Sequence, residues 1–224
     1  GDVGEESEGS RRISLDTSRF DEAVQCATGA DVTVLVVGDI AGLFGNGTVG
    51  EGSDVSNLTL PGVQSQLMER ILATGRPVVL ALISGRPYDI SAAKEQAAAI
   101  VSAWLPGQGG GEAIARTLVG LNKPQGKSTL SFPQCAGSAP YAYNHTKKAG
   151  GLPTQSEFAP LYPFGHGLSY TRFTYSDLVL SSEQLPSDGS ITLSLVVENT
   201  GTRSGSEVVQ LYSTDLVASI VRPV

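Results

Sequence analysis

Residues 32–62 read VTVLVVGDIAGLFGNGTVGEGSDVSNLTLPG, and the fold is decided here. Residues 32–37 form a continuous apolar run rich in β-branched side chains, the pattern of a strand buried on both faces. The glycine-rich stretch behind it is far longer than the roughly 2–6 residues that usually join strand to helix, and loops of that kind are functional or disordered. Its glycines argue for function, because they permit positive φ and a close approach of backbone to ligand. Pro61 then opens an amphipathic helix, proline being favoured at the first helical position, with Val63, Leu67, Ile71 and Leu72 on one face. A single carboxylate stands between two glycines at Gly50-Glu51-Gly52. Glu51 is the candidate for the residue that does chemistry, with Asp54, three residues on, as the candidate that tunes it or supports its loop.

Working outward, Thr17 or Ser18 can cap an earlier helix carrying Phe20, Ala23, Val24 and Ala27 at helical spacing and ended by Gly29. Downstream, residues 78–83 make a second buried strand, Ser84-Gly85-Arg86-Pro87 a turn, 91–96 a short helix and 99–104 a third strand. A helix over 111–118, a turn at 122–126 and a short strand at 129–132 follow. Apolar strands alternating with helices predict an α/β sandwich, a mostly parallel sheet covered on both faces, over residues 1–150. Residues 134–160 lack any period and predict a long surface excursion, and an aromatic, glycine-bent connector lies within 151–172. From 173 to 224 the pattern is all β, with strands expected at 173–180, 191–198 and 207–212. Three strands fall short of the about seven that a sandwich needs, so this segment is expected to be truncated.

The chain has 224 residues, a net charge of −7 and 40% apolar residues. The negative charge excludes nucleic acid as a partner, since phosphates call for Lys/Arg patches. No apolar run approaches the ~18 residues that span a bilayer. The first twelve residues are acidic, Ser/Gly-rich and expected to fray. There is no initiator Met, so the chain is expected to be processed or a piece of a longer one. Cys26 and Cys135 could form a single disulfide but are expected to be separate, half-buried thiols. Sequons stand at Asn46, Asn57 and Asn144.

Other motifs carry less. Gly45-Asn46-Gly47-Thr48-Val49-Gly50 matches the G-x-G-x-x-G of dinucleotide sites, yet Gly45 lies seven residues beyond Gly38 and no helix opens before Pro61. Glu51 and Asp54 would also repel a phosphate there. Residues 107–111, before a helix, suit an anion site or a tight turn. His145 and His166 show no metal-ligand spacing and no Ser-His-Asp arrangement, and His166 in its aromatic turn is expected to be structural. Trp104 suits a sugar platform or the core. Asp39 and Asp89 sit near strand ends with nothing in the sequence tying either to Glu51. No cofactor and no metal is expected.

The residues then converge on a family. Gly50-Glu51-Gly52-x-Asp54 followed by Leu58-x-Leu60-Pro61-Gly62-x-Gln64 resembles the catalytic loop of glycoside hydrolase family 3, the β-glucosidase/β-xylosidase family. Gly85-Arg86-Pro87, Ala103-Trp104-x-Pro106-Gly107-x-Gly109-Gly110, Pro124-x-Gly126-Lys127 and Phe132-Pro133 are similar, in order, to its C-terminal α/β sandwich. Tyr162-Pro163-Phe164-Gly165-His166-Gly167-Leu168-Ser169-Tyr170-Thr171 resembles the linker to its fibronectin type III-like domain. Glu198-Asn199-Thr200-Gly201 and Val208-Val209-Gln210-Leu211-Tyr212 resemble strands of that domain. Val55 stands where many members have Arg.

The resemblance implies a retaining, exo-acting β-glycosidase that removes terminal β-D-glucosyl or β-D-xylosyl residues from oligosaccharides or aryl β-glycosides. Glu51 matches the general acid/base, and the nucleophile would be an Asp on a (β/α)8 barrel absent from this chain. The sequence names no substrate-binding residue. A secreted or periplasmic location is expected ahead of a cytoplasmic one. Two other readings stand beside this one: a non-catalytic carbohydrate-binding or scaffolding domain, and a nucleotide-binding protein resting on G-x-G-x-x-G alone.

Overall fold

A computed structural model describes residues 13–138, 159–185, 187–213 and 217. Asn144, His145, the start expected to fray and the middle of the expected surface excursion lie outside these residues. The elements run α1 (Phe20–Gly29), β1 (Thr33–Gly38), α2 (Gln64–Leu72), β2 (Val78–Ile83), α3 (Ser91–Lys94), β3 (Ala99–Ser102) and α4 (Gly110–Leu118). A second set, β4 (Phe173–Leu180) and β5 (Leu193–Asn199), follows.

The first three strands form one parallel sheet in the order β1-β2-β3, with Leu35 beside Leu80 and Leu80 beside Ile100. Central β2 puts Val78, Leu80, Ala81 and Leu82 out of contact with water. Met68, Ile71 and Leu72 of α2 recur at helical spacing and join Leu35, Val37 and Ala27 in the core. Arg70 of α2 bonds Asp21 of α1 and lies over the Phe20 ring, fastening the two helices.

The expectation that helices cover both faces needs correction at β1. Leu35 and Val37 are buried, but Val34 and Val36 on the opposite face are 47% and 57% exposed. The cause is topological. Successive parallel strands added in one direction, each by a right-handed crossover, place their connecting helices on one side of the sheet. Accordingly α2 packs on both α1 and α3.

Several boundaries also shift. No side chain caps α1; instead Asp16 accepts the Ser18 N–H (2.8 Å) and Thr17 O accepts that of Phe20 (3.0 Å). Pro61 does not open α2, because Gly62 takes φ +61° and makes a turn, and the helix starts at Gln64. The third strand stops at Ser102, two residues before Trp104, whose φ of +52° breaks the extended chain. The expected strand at 129–132 is reduced to a bridge between Phe132 and Tyr162. Cys26 and Cys135 are exposed rather than half-buried, and no disulfide joins them.

The second sheet is an antiparallel pair, Phe173 opposite Asn199 and Leu180 opposite Leu193. A bulge between Ser176 and Val179 contains Asp177 at φ +53°. Residues 207–212 pair with neither strand, contrary to the expected third strand. Side chains hold them instead: Glu207 bridges Lys127 (3.1 Å) and Gln210 donates to Gly165 O (3.0 Å). Tyr170 in the connector donates to Thr117 O at the end of α4 (2.7 Å), tying the connector to the first sheet's domain.

Candidate active site

The site is built where α/β sheets commonly build one, beyond the carboxyl ends of the strands. β1 delivers Asp39, β2 delivers Ser84 to Arg86, and β3 is followed by Trp104. Between β1 and α2 the glycine-rich stretch folds back on itself. Thr48 N–H donates to Ile40 O (2.8 Å), Gly42 N–H to Val49 O (2.9 Å) and Phe44 N–H to Glu51 O (2.7 Å). The two arms lie so close that a Cβ on Gly50 would stand 1.9 Å from Gly42 O. Glycine is therefore required beside Glu51 for packing, and φ +125° at Gly50 requires it again.

Glu51 occupies a corner of the turn closed by Ser53 N–H to Gly50 O (3.0 Å), with Gly52 at φ +74°. Its side chain is exposed, and among the described residues its carboxylate has no hydrogen-bond or ion-pair partner. Around it the loop is apolar and open: Ile40 and Leu43 are exposed, and Phe44, at φ +53°, is 75% exposed. Asp54 is exposed and also unpartnered among the described residues, so the support expected of it comes from elsewhere.

That support is Asp39. Its side chain is fully buried and accepts three bonds: Thr48 Oγ1 (2.7 Å) and Tyr88 OH (2.5 Å) on Oδ1, Gly85 N–H (2.8 Å) on Oδ2. The guanidinium of Arg86, 3.9 Å from Oδ1, donates to the carbonyls of Thr48 (2.6 Å) and Ser53 on the two sides of Glu51. Burial, then the bond to Asp39, pushes the Tyr88 phenol up to about 12. At the loop's base Gln64 holds both polar groups of Gly38, accepting its N–H (2.7 Å) and donating to its carbonyl (2.9 Å). The sequence reading missed Asp39, Arg86, Tyr88 and Gln64 as partners of this loop. The signal was their position: Asp39 and Arg86 lie just beyond the carboxyl ends of β1 and β2.

Other candidates resolve into packing. Trp104 rests on Phe132 (centroids 5.9 Å), and His166 stacks on Tyr162 (4.8 Å) with its pKa lowered by burial and then by Lys127. Asp89 accepts from Ser91 Oγ and Ala136 N–H. Gly45 to Gly50 lies inside the folded-back loop and fronts no helix, which removes the phosphate geometry of a dinucleotide site. Gly110 packs on Pro106, the tight-turn reading of that glycine run. Beside the loop's far arm lies a cleft of about 610 Å³ lined by Val55, Asn57, Leu58, Pro87, Leu130 and Pro133. Among the described residues no three His, Cys, Asp or Glu are placed to share a metal, and no helix is long and apolar enough to cross a membrane.

Comparison with known proteins meets this geometry. Residues 5–170 match the glycosyl hydrolase family 3 C-terminal domain. The chain is 43% identical over 218 residues to a periplasmic β-glucosidase of Salmonella typhimurium, a match covering 92% of this chain and 28% of that protein. It is 39% identical over 213 residues to a β-xylosidase of Formosa agariphila, covering 93% and 29%. A β-glucosidase from Listeria innocua solved with glucose superimposes with a TM-score of 0.78 at 31% identity, covering 94% of this chain and 30% of that one. The chain thus spans under a third of the length of these relatives. Its parallel α/β fold, its loop and about three-quarters of its length match one family, and the chain belongs to glycosyl hydrolase family 3, whose C-terminal domain it carries.

Proposed function

We propose that the chain supplies the acid/base half of a retaining, exo-acting β-glycosidase site that releases terminal non-reducing β-D-glucosyl or β-D-xylosyl residues. The observation that carries this reading is the contrast at Glu51. Its loop is pinned to the ends of β1 and β2, yet its own carboxylate stands exposed with no partner among the described residues. A structural carboxylate would be spent on the fold, as Asp39 and Asp89 are.

In the first step Glu51, protonated, gives its proton to the glycosidic oxygen as the bond to the anomeric carbon breaks and a carboxylate nucleophile bonds that carbon. In the second, ionised Glu51 takes a proton from the water that displaces the nucleophile, and the free sugar leaves. The two carboxyls of such a pair stand ~5–5.5 Å apart. We place the nucleophile on a (β/α)8 barrel outside this chain, docked against the loop. The exposed Ile40, Leu43 and Phe44 support this, because a domain docked on the loop would cover them and exclude water from the site. In this organisation residues 1–150 form the sandwich, 151–172 the linker and 173–224 part of a fibronectin type III-like domain. The Salmonella relative is named as periplasmic, which supports a periplasmic or secreted location here.

The test is hydrolysis of activated aryl β-glucosides and β-xylosides by the full-length protein carrying Glu51 or Glu51→Ala, with and without azide. The reading expects a slow variant whose turnover azide restores, with a β-glycosyl azide as product. Equal activity of the two proteins removes Glu51 from the mechanism. No activity in either leaves a non-catalytic, sugar-binding domain as the better reading.

A further inference from the structure

Asp39 is a buried carboxylate that the reaction just described does not use. It leaves β1 one residue past Gly38, and a buried charge is costly unless it is paired and hydrogen-bonded. Here the partners come from the Glu51 loop and from the turn after β2. Thr48 belongs to the returning arm of the Glu51 loop, and its hydroxyl both accepts the Ile40 N–H (2.9 Å) and donates to Asp39 (2.7 Å). Gly85, Arg86 and Tyr88 belong to the turn after β2, the most buried strand of the sheet. Arg86 closes the circuit, since its two terminal nitrogens hold the carbonyls of Thr48 and Ser53, three residues before Glu51 and two after it. Thr48 and Arg86 thus join the loop to the strand ends, while Gly85 and Tyr88 tie Asp39 to the turn after β2.

We propose that Asp39 is the positioning residue of this site: through Thr48, and through the Arg86 and Tyr88 it holds, it fixes where the carboxyl of Glu51 stands. This rests on the assignment of Glu51 as acid/base. Glu51 itself has no side-chain partner among the described residues to orient it, so its place is set by its backbone alone. A fixed backbone on each side of an otherwise unheld side chain is what proton delivery to one oxygen requires, because small misplacements of a reacting group cost rate steeply. The neutral phenol of Tyr88 and the permanent charge of Arg86 keep the circuit's donors intact over the whole range in which a carboxyl acid/base works.

The experiment uses the full-length protein with Asp39→Asn, Thr48→Val and Thr48→Ser. Asp39→Asn keeps size but faces an amide N–H₂ toward a donor; Thr48→Val cuts the link to Asp39 without touching Arg86 or Tyr88, and so remains informative if Asp39→Asn folds poorly. Two readouts are taken. Hydrogen exchange at the amides of Gly42, Phe44 and Thr48 should quicken in Asp39→Asn and Thr48→Val, while amides of β2 stay protected, and Thr48→Ser should restore wild-type exchange. On substrates with poor leaving groups, kcat/KM should fall on the order of tenfold to a hundredfold, and on a dinitrophenyl glycoside, whose leaving group needs no proton, it should hardly change. Unchanged loop exchange overturns the proposal, and so does an equal loss of kcat/KM across leaving groups. Glu51→Ala run in parallel separates the two assignments: if it leaves the poor substrates unaffected, the acid/base assignment is what fails, and the exchange data alone then decide whether Asp39 anchors the loop.

Discussion

Arg86 reaches from the turn after β2 to the carbonyls of Thr48 and Ser53, so that one guanidinium spans the Gly50–Gly52 turn from both sides. Its side chain is only 16% exposed. Lysine at this position would keep the charge but lose the planar fork that serves two acceptors at once. Arg86→Lys is expected to lower stability by about 1–3 kcal/mol, the worth of one charged hydrogen bond. Urea denaturation followed by circular dichroism checks this; an unchanged midpoint would show that the second carbonyl finds water at no cost.

Tyr88 is 1% exposed, donates to Asp39 and accepts from Arg86 (3.3 Å). With its phenol raised from 10 to about 12, the folded chain holds that proton where the unfolded chain has released it. Stability contributed by Tyr88 is therefore complete below pH 10 and is lost as pH rises from 10 toward 12. Tyr162, also raised by burial, acts in the same sense. Thermal melts across this range should fall more steeply for wild type than for Tyr88→Phe, which should itself be less stable at neutral pH by about 1 kcal/mol.

Much of the fold was legible because periodicity and burial are local signals. The run at 32–37 and the run at 78–83 were strands, and residues 64–72 a helix, as their apolar spacing required. What failed was non-local. Whether Val34 and Val36 are covered depends on which side successive crossovers put their helices, and residues 207–212 alternate like a strand without having one to pair with. The site divides in the same way. Glu51 stood out as the candidate from its flanking glycines, but Asp39 and Arg86 are 47 residues apart and meet only because β1 and β2 are neighbours in register. No spacing rule within one segment could join them.

Ser53 makes a different kind of prediction. Its hydroxyl oxygen is buried and has no hydrogen-bond partner among the described residues, while its carbonyl holds Arg86. A buried donor left unmatched carries its desolvation cost without return. Ser53→Ala removes the hydroxyl and keeps the backbone, so stability should stay constant or rise by up to about 1 kcal/mol. A clear loss in the melting temperature would mean that an ordered water serves that oxygen.

On the acid side the relevant group is His166, stacked on Tyr162 with its pKa lowered by burial and then by Lys127. A lowered pKa means the folded chain takes up that proton less readily than the unfolded one. The stability tied to neutral His166 is present above pH 6.5 and is lost as pH falls from there through the folded value. His166→Phe keeps an aromatic ring on Tyr162 and should flatten the melting temperature between pH 7 and 5; an unchanged slope would assign the acid limb to the carboxylates.

Glu51 should behave unlike all of these. An exposed side chain with no partner among the described residues contributes little to folding, so Glu51→Gln should shift stability by no more than about 0.5 kcal/mol. Hydrolysis by the full-length protein should nevertheless fall, most on substrates whose leaving group needs a proton, because glutamine cannot give one. The pairing of the two results is what matters. A variant that melts like wild type but discriminates sharply among leaving groups has lost chemistry alone. If instead Glu51→Gln lowers the melting temperature by several degrees and slows every substrate equally, the side chain holds the loop together and the acid must lie elsewhere.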